Sequence, residues 1–104
     1  MIKASLTATS FKAMATSDTD RRKAVGTMLE GIGGKLIGYY FAFGDDDIIV
    51  IAEAPDNVTM ASVAINITSS GSLHGVSTTP LLSYEDGVKA IKSSTNVNYT
   101  PPGN

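Results

Sequence analysis

The most regular pattern of apolar and polar positions lies in the first third of the chain. Apolar side chains recur there with the i, i+3, i+4, i+7 spacing of one helix face: Val25, Met28, Leu29 and Ile32. The preceding Ser17-Asp18-Thr19-Asp20 offers oxygens that can accept hydrogen bonds at a helix N-terminus. The following Gly33-Gly34 can adopt the left-handed conformation that commonly ends a helix. The pattern predicts a helix that begins at about Arg21 and ends before Gly33.

Two apolar segments follow this helix and are typical of β-strands. Residues 35–43 (Lys-Leu-Ile-Gly-Tyr-Tyr-Phe-Ala-Phe) and 47–53 (Asp-Ile-Ile-Val-Ile-Ala-Glu) are rich in the aromatic and β-branched side chains that sheets favour. Gly44-Asp45-Asp46 separates them with turn-forming residues. The two segments are therefore predicted to pair as a β-hairpin.

The N-terminal segment has a weaker pattern. Residues 2–7 alternate between apolar and polar side chains, which favours a strand. Residues 8–17 are small and hydroxyl-rich, with Phe11 and Met14 as the only large apolar side chains, and are expected to form a loop or a short helical turn.

The second half repeats the order of helix and strand. Ala54-Pro55-Asp56-Asn57 is expected to end the hairpin and cap a helix that stops at Ser69-Ser70-Gly71. The apolar face of that helix is predicted to hold Met60, Val63, Ala64 and Ile67. Residues 73–82 are predicted to form a fourth strand, with Pro80 near its end, where a missing N–H is tolerated. Ser83 then opens a short helix with Val88 and Ile91 facing inward.

The resulting order, β-α-β-β-α-β plus a C-terminal helix, is that of the ferredoxin-like split βαβ motif. The predicted fold class is α+β, with a four-stranded antiparallel sheet and two helices on one face. Residues 1–92 are predicted to be a single domain, and residues 93–104 a C-terminal tail without a core pattern.

The predicted hairpin is apolar on both of its faces. Ile48-Ile49-Val50-Ile51 has no polar position, and Tyr39-Tyr40-Phe41 also places large groups on both sides. A sheet that helices cover on one face should instead alternate apolar and polar residues. We therefore expect a second copy of the sheet to cover the other face in a two-fold homodimer, with a higher oligomer as the alternative assembly. The alternative is that the tail or the C-terminal helix folds across that face.

Composition and charge narrow the function classes. The 104-residue chain carries eight basic and ten acidic side chains, for a net charge of −2, and charged residues make up 17% of it. With this net charge the chain has no basic surface of the kind that binds nucleic acid, and it has no polybasic segment of the kind that binds membranes. Without cysteine, thiol chemistry and disulfides are excluded. The N-terminus has no signal-peptide pattern, so a cytoplasmic protein is expected.

Four segments resemble the GYD domain family in content and order. They are residues 33–36, 41–47, 53–57 and 78–82, and the similarity extends from about Leu6 to Ile91. In the family's naming motif a glycine is followed, after one residue, by Tyr-Asp. Gly44 and Asp47 match it, while Asp46 stands where tyrosine is usual. The resemblance implies a dimeric α/β barrel, in which two ferredoxin-like sheets pack face to face. Because the family has no assigned reaction, it implies no activity. The wider superfamily includes cofactor-independent monooxygenases, isomerases, haem enzymes and stress proteins.

The aromatic strand supplies the first candidates for chemistry. Tyr39, Tyr40, Phe41 and Phe43 are divided between the two faces, so that some of them can line a ligand cavity between sheet and helices. A tyrosine hydroxyl there would orient a polar group of a substrate. The alternative is that these rings only fill the core and the dimer contact.

The titratable candidates are few. His74, the single histidine, is a possible general base, and the alternative is an exposed or hydrogen-bonded strand residue. Asp45-Asp46-Asp47 is expected to be a solvated turn and not a cation site. The Asp47 carboxylate, at the start of a buried strand, can instead accept hydrogen bonds from backbone donors or meet Arg21 or Arg22. No metal site or cofactor-binding residue is predicted.

Two functional hypotheses remain. The first is a small homo-oligomeric binding or accessory protein. The second is a cofactor-independent enzyme, monooxygenase- or isomerase-like, that acts on a small apolar molecule, with Tyr39 or Tyr40 for orientation and His74 or Asp47 for proton transfer. A cavity that touches at least one of these groups would favour the enzyme, whereas a fully packed core would favour the binding or structural role.

Overall fold

A four-stranded antiparallel sheet organises the protein, whose computed structural model describes residues 1–17 and 20–103. The strands are β1 (Ile2–Leu6), β2 (Lys35–Phe41), β3 (Ile48–Glu53) and β4 (Leu73–Thr78). They lie in the order β2-β3-β1-β4, and every neighbouring pair is antiparallel. The helices are α1 (Ala8–Thr16), α2 (Arg21–Gly31), α3 (Asn57–Ser69) and α4 (Tyr84–Ser93), with a 3-10 turn at Ser94–Asn96. The predicted ferredoxin-like α+β fold is confirmed.

The register of the strands separates the sheet into two faces. Ala4 lies opposite Ile48, and Val50 lies between Ile2 and Tyr39, on the face that the helices cover. Ala4, Ile48 and Val50 are all buried. The opposite, outer face carries Lys3, Ser5, Tyr40, Ile49 and Ile51. The face that points outward, which the sequence left open, is therefore the one that holds Ile49.

The ends of the helices follow from their capping residues. At the start of α2, the Asp20 carboxylate accepts a hydrogen bond from the Arg22 N–H at 2.9 Å. The other cap candidates Asp18 and Thr19 lie outside the described residues. At its end, Gly33 has a φ of 79°, and the Gly34 N–H donates to the Leu29 carbonyl at 2.8 Å. This is the Schellman arrangement that the glycine pair predicted.

The segment expected to be a loop or short turn is instead the nine-residue helix α1. Thr7 caps it by accepting a hydrogen bond from the Ser10 N–H at 3.2 Å. The Ser10 hydroxyl donates to the Ser72 carbonyl at 2.7 Å and ties the helix to the start of β4. The sequence pattern did not predict this helix because α1 has no continuous apolar face. Hydrogen bonds of Thr7 and Ser10 fix its position instead.

Strands β2 and β4 end two and four residues earlier than predicted, and β1 and β3 are each shorter by one residue. Strand β2 ends at Phe41, and the Phe43 side chain is fully exposed beyond it. Strand β4 ends at Thr78, two residues before Pro80, whose nitrogen has no hydrogen to donate to a neighbouring strand. Because the chain leaves the sheet at these points, Phe43 and Leu82 do not contribute to the sheet that holds the core.

Residues 80–103 form a C-terminal arm that stands away from the sheet, beyond Thr79, whose N–H donates to the Met1 carbonyl at 2.7 Å. The radius of gyration is 17.4 Å, whereas a compact domain of this length has about 13 Å. The prediction that Val88 and Ile91 face inward is half right, since Val88 is partly buried but Ile91 is 72% exposed. The arm therefore leaves most of its apolar side chains in solvent.

None of the helices in the described parts of the chain combines the length and the apolar character that crossing a bilayer requires.

Candidate functional site

An open cavity of about 520 Å³ lies between the inner face of the sheet and helices α1, α2 and α3. Its sheet side is built from residues of all four strands, among them Ile2, Leu6, Tyr39, Ile48 and Leu73. Its volume falls within the range of about 300–1,000 Å³ that is usual for small-molecule sites. The inner layer is therefore not fully packed, in contrast to an ordinary core.

The cavity exists because the helices present small side chains to the sheet. Helix α1 contributes Ser10 and Ala13 to its wall, and helix α2 contributes Ala24. Larger apolar side chains close the deeper part, where Leu29 is 1% exposed and Val63 is 6% exposed. Ser10, Ala13 and Met14 lie on one face of α1 and form its part of the cavity wall, and Ser17 continues that wall just after the helix ends.

Most of the wall is apolar, and its polar side chains are those of several serines, Asn66, Tyr39 and Arg21. The hydroxyls of Ser10 and Ser70 are engaged within the protein, the first with the Ser72 carbonyl at 2.7 Å and the second with the Ile67 carbonyl at 2.6 Å. In the part of the chain that the structure describes, Arg21 is the only charged residue that lines the cavity, and no carboxylate lines it. The cavity is therefore apolar with one cationic position.

Arg21 and Tyr39 stand at the mouth of this cavity. An adjoining recess of about 360 Å³ shares Met14, Arg21 and Tyr39 with it, and its wall is completed by Phe41 and the Asp20–Arg22 ion pair. The rings of Tyr39 and Phe41 meet edge to face, with their centroids 5.8 Å apart. This geometry holds the Tyr39 ring in place at the entrance.

Two features of its surroundings affect the pKa of the Tyr39 hydroxyl: burial and the neighbouring Arg21 guanidinium. Burial raises its pKa above the ordinary value of 10.0, and the nearby Arg21 guanidinium opposes that rise by favouring the phenolate. The hydroxyl therefore stays protonated at neutral pH and is able to donate a hydrogen bond toward a ligand.

Tyr40, the second tyrosine candidate, lies on the other side of the sheet. It is 58% exposed, and its ring lies over Gly38, where an added Cβ would come within 2.7 Å of it. The two adjacent tyrosines thus serve different faces, with Tyr39 at the cavity and Tyr40 on the outer face.

The remaining candidates do not line the cavity. His74 is exposed on β4, opposite Ser5 of the outer face. The Asp47 carboxylate accepts a hydrogen bond from the Leu6 N–H at 2.8 Å, which is the backbone-donor alternative considered for it. Asp46 instead pairs with Lys3 at 3.8 Å, and Asp45 stays exposed in the turn. Of the four candidate catalytic residues, the structure brings Tyr39 alone to the cavity.

Arg21 is the functional candidate that the sequence interpretation missed. It was considered only as a partner for Asp47 or as the start of the helix. A signal was nevertheless present, because Arg21 lies four residues before Val25 and seven before Met28, on the same helix face. Extending the apolar face by one turn toward the N-terminus would have placed a cation at the edge of the inner layer.

Within residues 1–17 and 20–103, no three histidine, aspartate or glutamate side chains lie together as metal ligands would.

No curated protein and no solved structure matches the chain significantly. The family profile of the GYD domain, however, matches residues 1–91, most of the sequence. That match covers the sheet and its three inner-face helices, and the chain belongs to the GYD domain family.

Proposed function

We propose that this protein binds a small, mostly apolar molecule in the cavity between its sheet and helices, and that it works as a homodimer. The observation that carries the proposal is the cavity itself. It has a volume of about 520 Å³ and an apolar wall, and it opens at a mouth marked by Tyr39 and Arg21. An apolar space of this size is favourable to fill with a ligand, because the exposed wall is then removed from water.

Binding is favoured over catalysis because, among residues 1–17 and 20–103, acid–base groups are not gathered at the cavity. General acid–base chemistry needs a proton donor or acceptor within about 3 Å of the reacting atom. The Asp47 carboxylate is engaged by the Leu6 N–H, and His74 lies on the other face of the sheet. Tyr39 alone would orient a ligand without moving a proton at neutral pH, since burial raises its pKa.

The homodimer is supported by the outer face of the sheet. Ile37 is 52% exposed and Tyr40 is 58% exposed there, next to Ile49 and Ile51 of the neighbouring strand. A contiguous apolar surface on a sheet is usually an interaction site. Two-fold pairing of identical sheets would cover it in both copies at once.

The C-terminal arm does not remove the need for a partner. The alternative considered from the sequence was that the C-terminal helix or tail covers the outer face. Tyr84, Ile91 and Tyr99 of the arm are themselves 72–83% exposed, and the arm extends away from the domain. The arm thus adds apolar surface, which further supports association between copies.

The binding proposal is tested by filling the cavity. N-phenyl-1-naphthylamine, a neutral dye that fluoresces in apolar surroundings, is the probe. Ala13→Leu adds bulk to the cavity wall, whereas Ala15→Leu makes the same change on an exposed residue of helix α1 that does not line the cavity. We expect the wild type and Ala15→Leu to bind the dye, and Ala13→Leu to bind it about tenfold more weakly. Equal affinity in all three proteins, or no binding by the wild type, would overturn the proposal.

The assembly is tested separately, by gel filtration with light scattering at micromolar concentration. The expected mass is twice that of the 10.8 kDa chain. A single species of the chain mass would overturn the homodimer while leaving the binding proposal to its own test.

A further inference from the structure

The charge of the cavity wall restricts the kind of molecule that it can hold. Among the residues of 1–17 and 20–103 that line it, Arg21 carries the single positive charge, and none is an aspartate or glutamate. The rest of the wall is apolar or made of hydroxyl and amide groups, among which Asn66 contributes an amide. A fully neutral ligand would leave the Arg21 guanidinium with only the Tyr39 hydroxyl and water as partners, and a cationic ligand would be repelled.

Arg21 is available for such a partner. Among the described residues it forms no salt bridge, because the neighbouring Asp20 carboxylate is engaged by Arg22 at 3.3 Å. A guanidinium offers its N–H donors in a planar fork that matches a carboxylate. The Tyr39 hydroxyl lies beside it and supplies a further donor at the mouth.

We propose that the ligand is a monocarboxylate with an apolar body, held with its carboxylate at Arg21 and the Tyr39 hydroxyl and its apolar part inside the cavity. This inference rests on the proposed function and names the ligand class. The recess at the mouth also holds Asp20 and Arg22, which pair with each other, so that Arg21 leaves one net positive charge there to match a single negative charge. That match favours a carboxylate over a phosphate monoester, which carries a charge of about −1.5 to −2 at pH 7.

The expected energetic effect is moderate because Arg21 is an exposed residue. Water and salt weaken an ion pair at such a position, and exposed pairs contribute up to about 1 kcal/mol, which is a factor of about five in affinity. The Tyr39 hydrogen bond adds to this. A carboxylate should therefore bind about five- to tenfold more tightly than its neutral counterpart, and the preference should shrink at high salt.

The test compares decanoate with decanol, which share a ten-carbon chain but differ in charge. Each is titrated against the dye-loaded protein at low and high salt. Arg21→Gln removes the cation at the mouth, and Lys23→Gln removes one positive charge from an exposed residue of the same helix that does not line the cavity. Tyr39→Phe removes only the hydroxyl.

We expect Arg21→Gln to weaken decanoate about fivefold while leaving decanol unchanged. Tyr39→Phe should have a smaller effect in the same direction, and Lys23→Gln should keep the wild-type preference. Equal affinity of the wild type for decanoate and decanol would overturn the inference, and so would an equal loss in Lys23→Gln. In both cases dye and decanol binding would leave the proposed function standing. Failure of the dye, decanol and decanoate to bind at all would overturn both.

Discussion

The Asp47 carboxylate and the Leu6 backbone N–H are joined by a hydrogen bond of 2.8 Å between the side-chain oxygen and the amide nitrogen. The Asp47 N–H in turn donates to the Ala4 carbonyl at 2.9 Å. One residue thus bonds through its side chain and its backbone to two residues of β1, so that the turn before β3 is fixed to the central strand. Asp47 is the last residue of the motif through which the sequence resembles the GYD family. These two hydrogen bonds give that aspartate a structural role.

Asp47→Ala should destabilise the protein because the partly buried Leu6 N–H loses its acceptor. The loss of a charge-assisted hydrogen bond predicts a decrease of about 1–3 kcal/mol in the free energy of unfolding, measured by urea denaturation. Asp45→Ala, in the exposed part of the same turn, is the control and should change it little. If the two variants unfold alike, the hydrogen bond does not stabilise the turn.

Gly34 is required by a close approach of backbones, which makes it a second test of the fold. An added Cβ would come within 2.4 Å of the Glu53 carbonyl oxygen, whereas at Gly31 nothing lies within 4 Å. Gly34→Ala should therefore lower the free energy of unfolding by roughly 1–3 kcal/mol. Gly31→Ala, in the last turn of helix α2, should leave it unchanged or raise it by up to about 1 kcal/mol. Equal effects would show that Gly34, in the connection between α2 and β2, does not approach the Glu53 carbonyl at the end of β3 as described.

The cap of helix α3 predicts a pH dependence. The Thr59 N–H bonds to the Asp56 carboxylate at 2.7 Å, which holds the pKa of Asp56 below its ordinary value of 3.8. The stabilisation is therefore complete above that ordinary value and is lost as the pH falls through the lower folded-state pKa. Asp56→Asn keeps an acceptor but cannot be protonated, so it should lose less stability than the wild type between pH 7 and about pH 3. Denaturation curves at both pH values measure this, and parallel losses would contradict it.

The elements that the sequence predicted best are those with an apolar period and a strong end signal. Helix α2 combined the face from Val25 to Ile32 with two glycines that form the Schellman end, and the structure places its boundary there. Helix α1 could not be predicted in the same way. Its position depends on hydrogen bonds such as that of Ser10 to the Ser72 carbonyl, 62 residues away, and a local pattern contains no such information.

The candidate site was predictable only in part. The alternation of the aromatic strand indicated that one of Tyr39 and Tyr40 would face the helices, and the register with Val50 shows that it is Tyr39. The cavity itself could not be predicted, because it exists where large side chains are absent from the wall. Its space comes from small side chains such as Ala13 and Ala24, which come together only when three helices pack on one sheet.

The two faces of β3 should respond differently to the same substitution. Val50 is 6% exposed on the inner face, and Ile49 lies on the outer face. Val50→Asp would bury an unpaired carboxylate at a cost of several kcal/mol, comparable to a total stability of about 5–15 kcal/mol, and should prevent folding. Ile49→Asp should leave a folded chain that dissociates or aggregates, because the proposed interface would then bury two carboxylates.

For Val50→Asp and Ile49→Asp, circular dichroism measures whether the chain is folded, and light scattering measures the mass of the assembly. Folded dimers with unchanged melting in both variants would contradict burial of this strand on two faces. A folded dimer in Ile49→Asp alone would show that the outer face is not the interface.

The most direct test of the central claim is a methyl NMR titration of the isotope-labelled protein with decanol, which binds whether or not a charge is recognised at the mouth. The methyl groups of Leu29, Val50 and Val63 face the inner layer, while those of Ile37 and Ile49 belong to the outer face. We predict saturable shifts of the first set at low ligand concentration, with the second set unmoved. Shifts confined to the outer face or the C-terminal arm, or none at all, would contradict the account that this protein holds a small molecule between its sheet and helices.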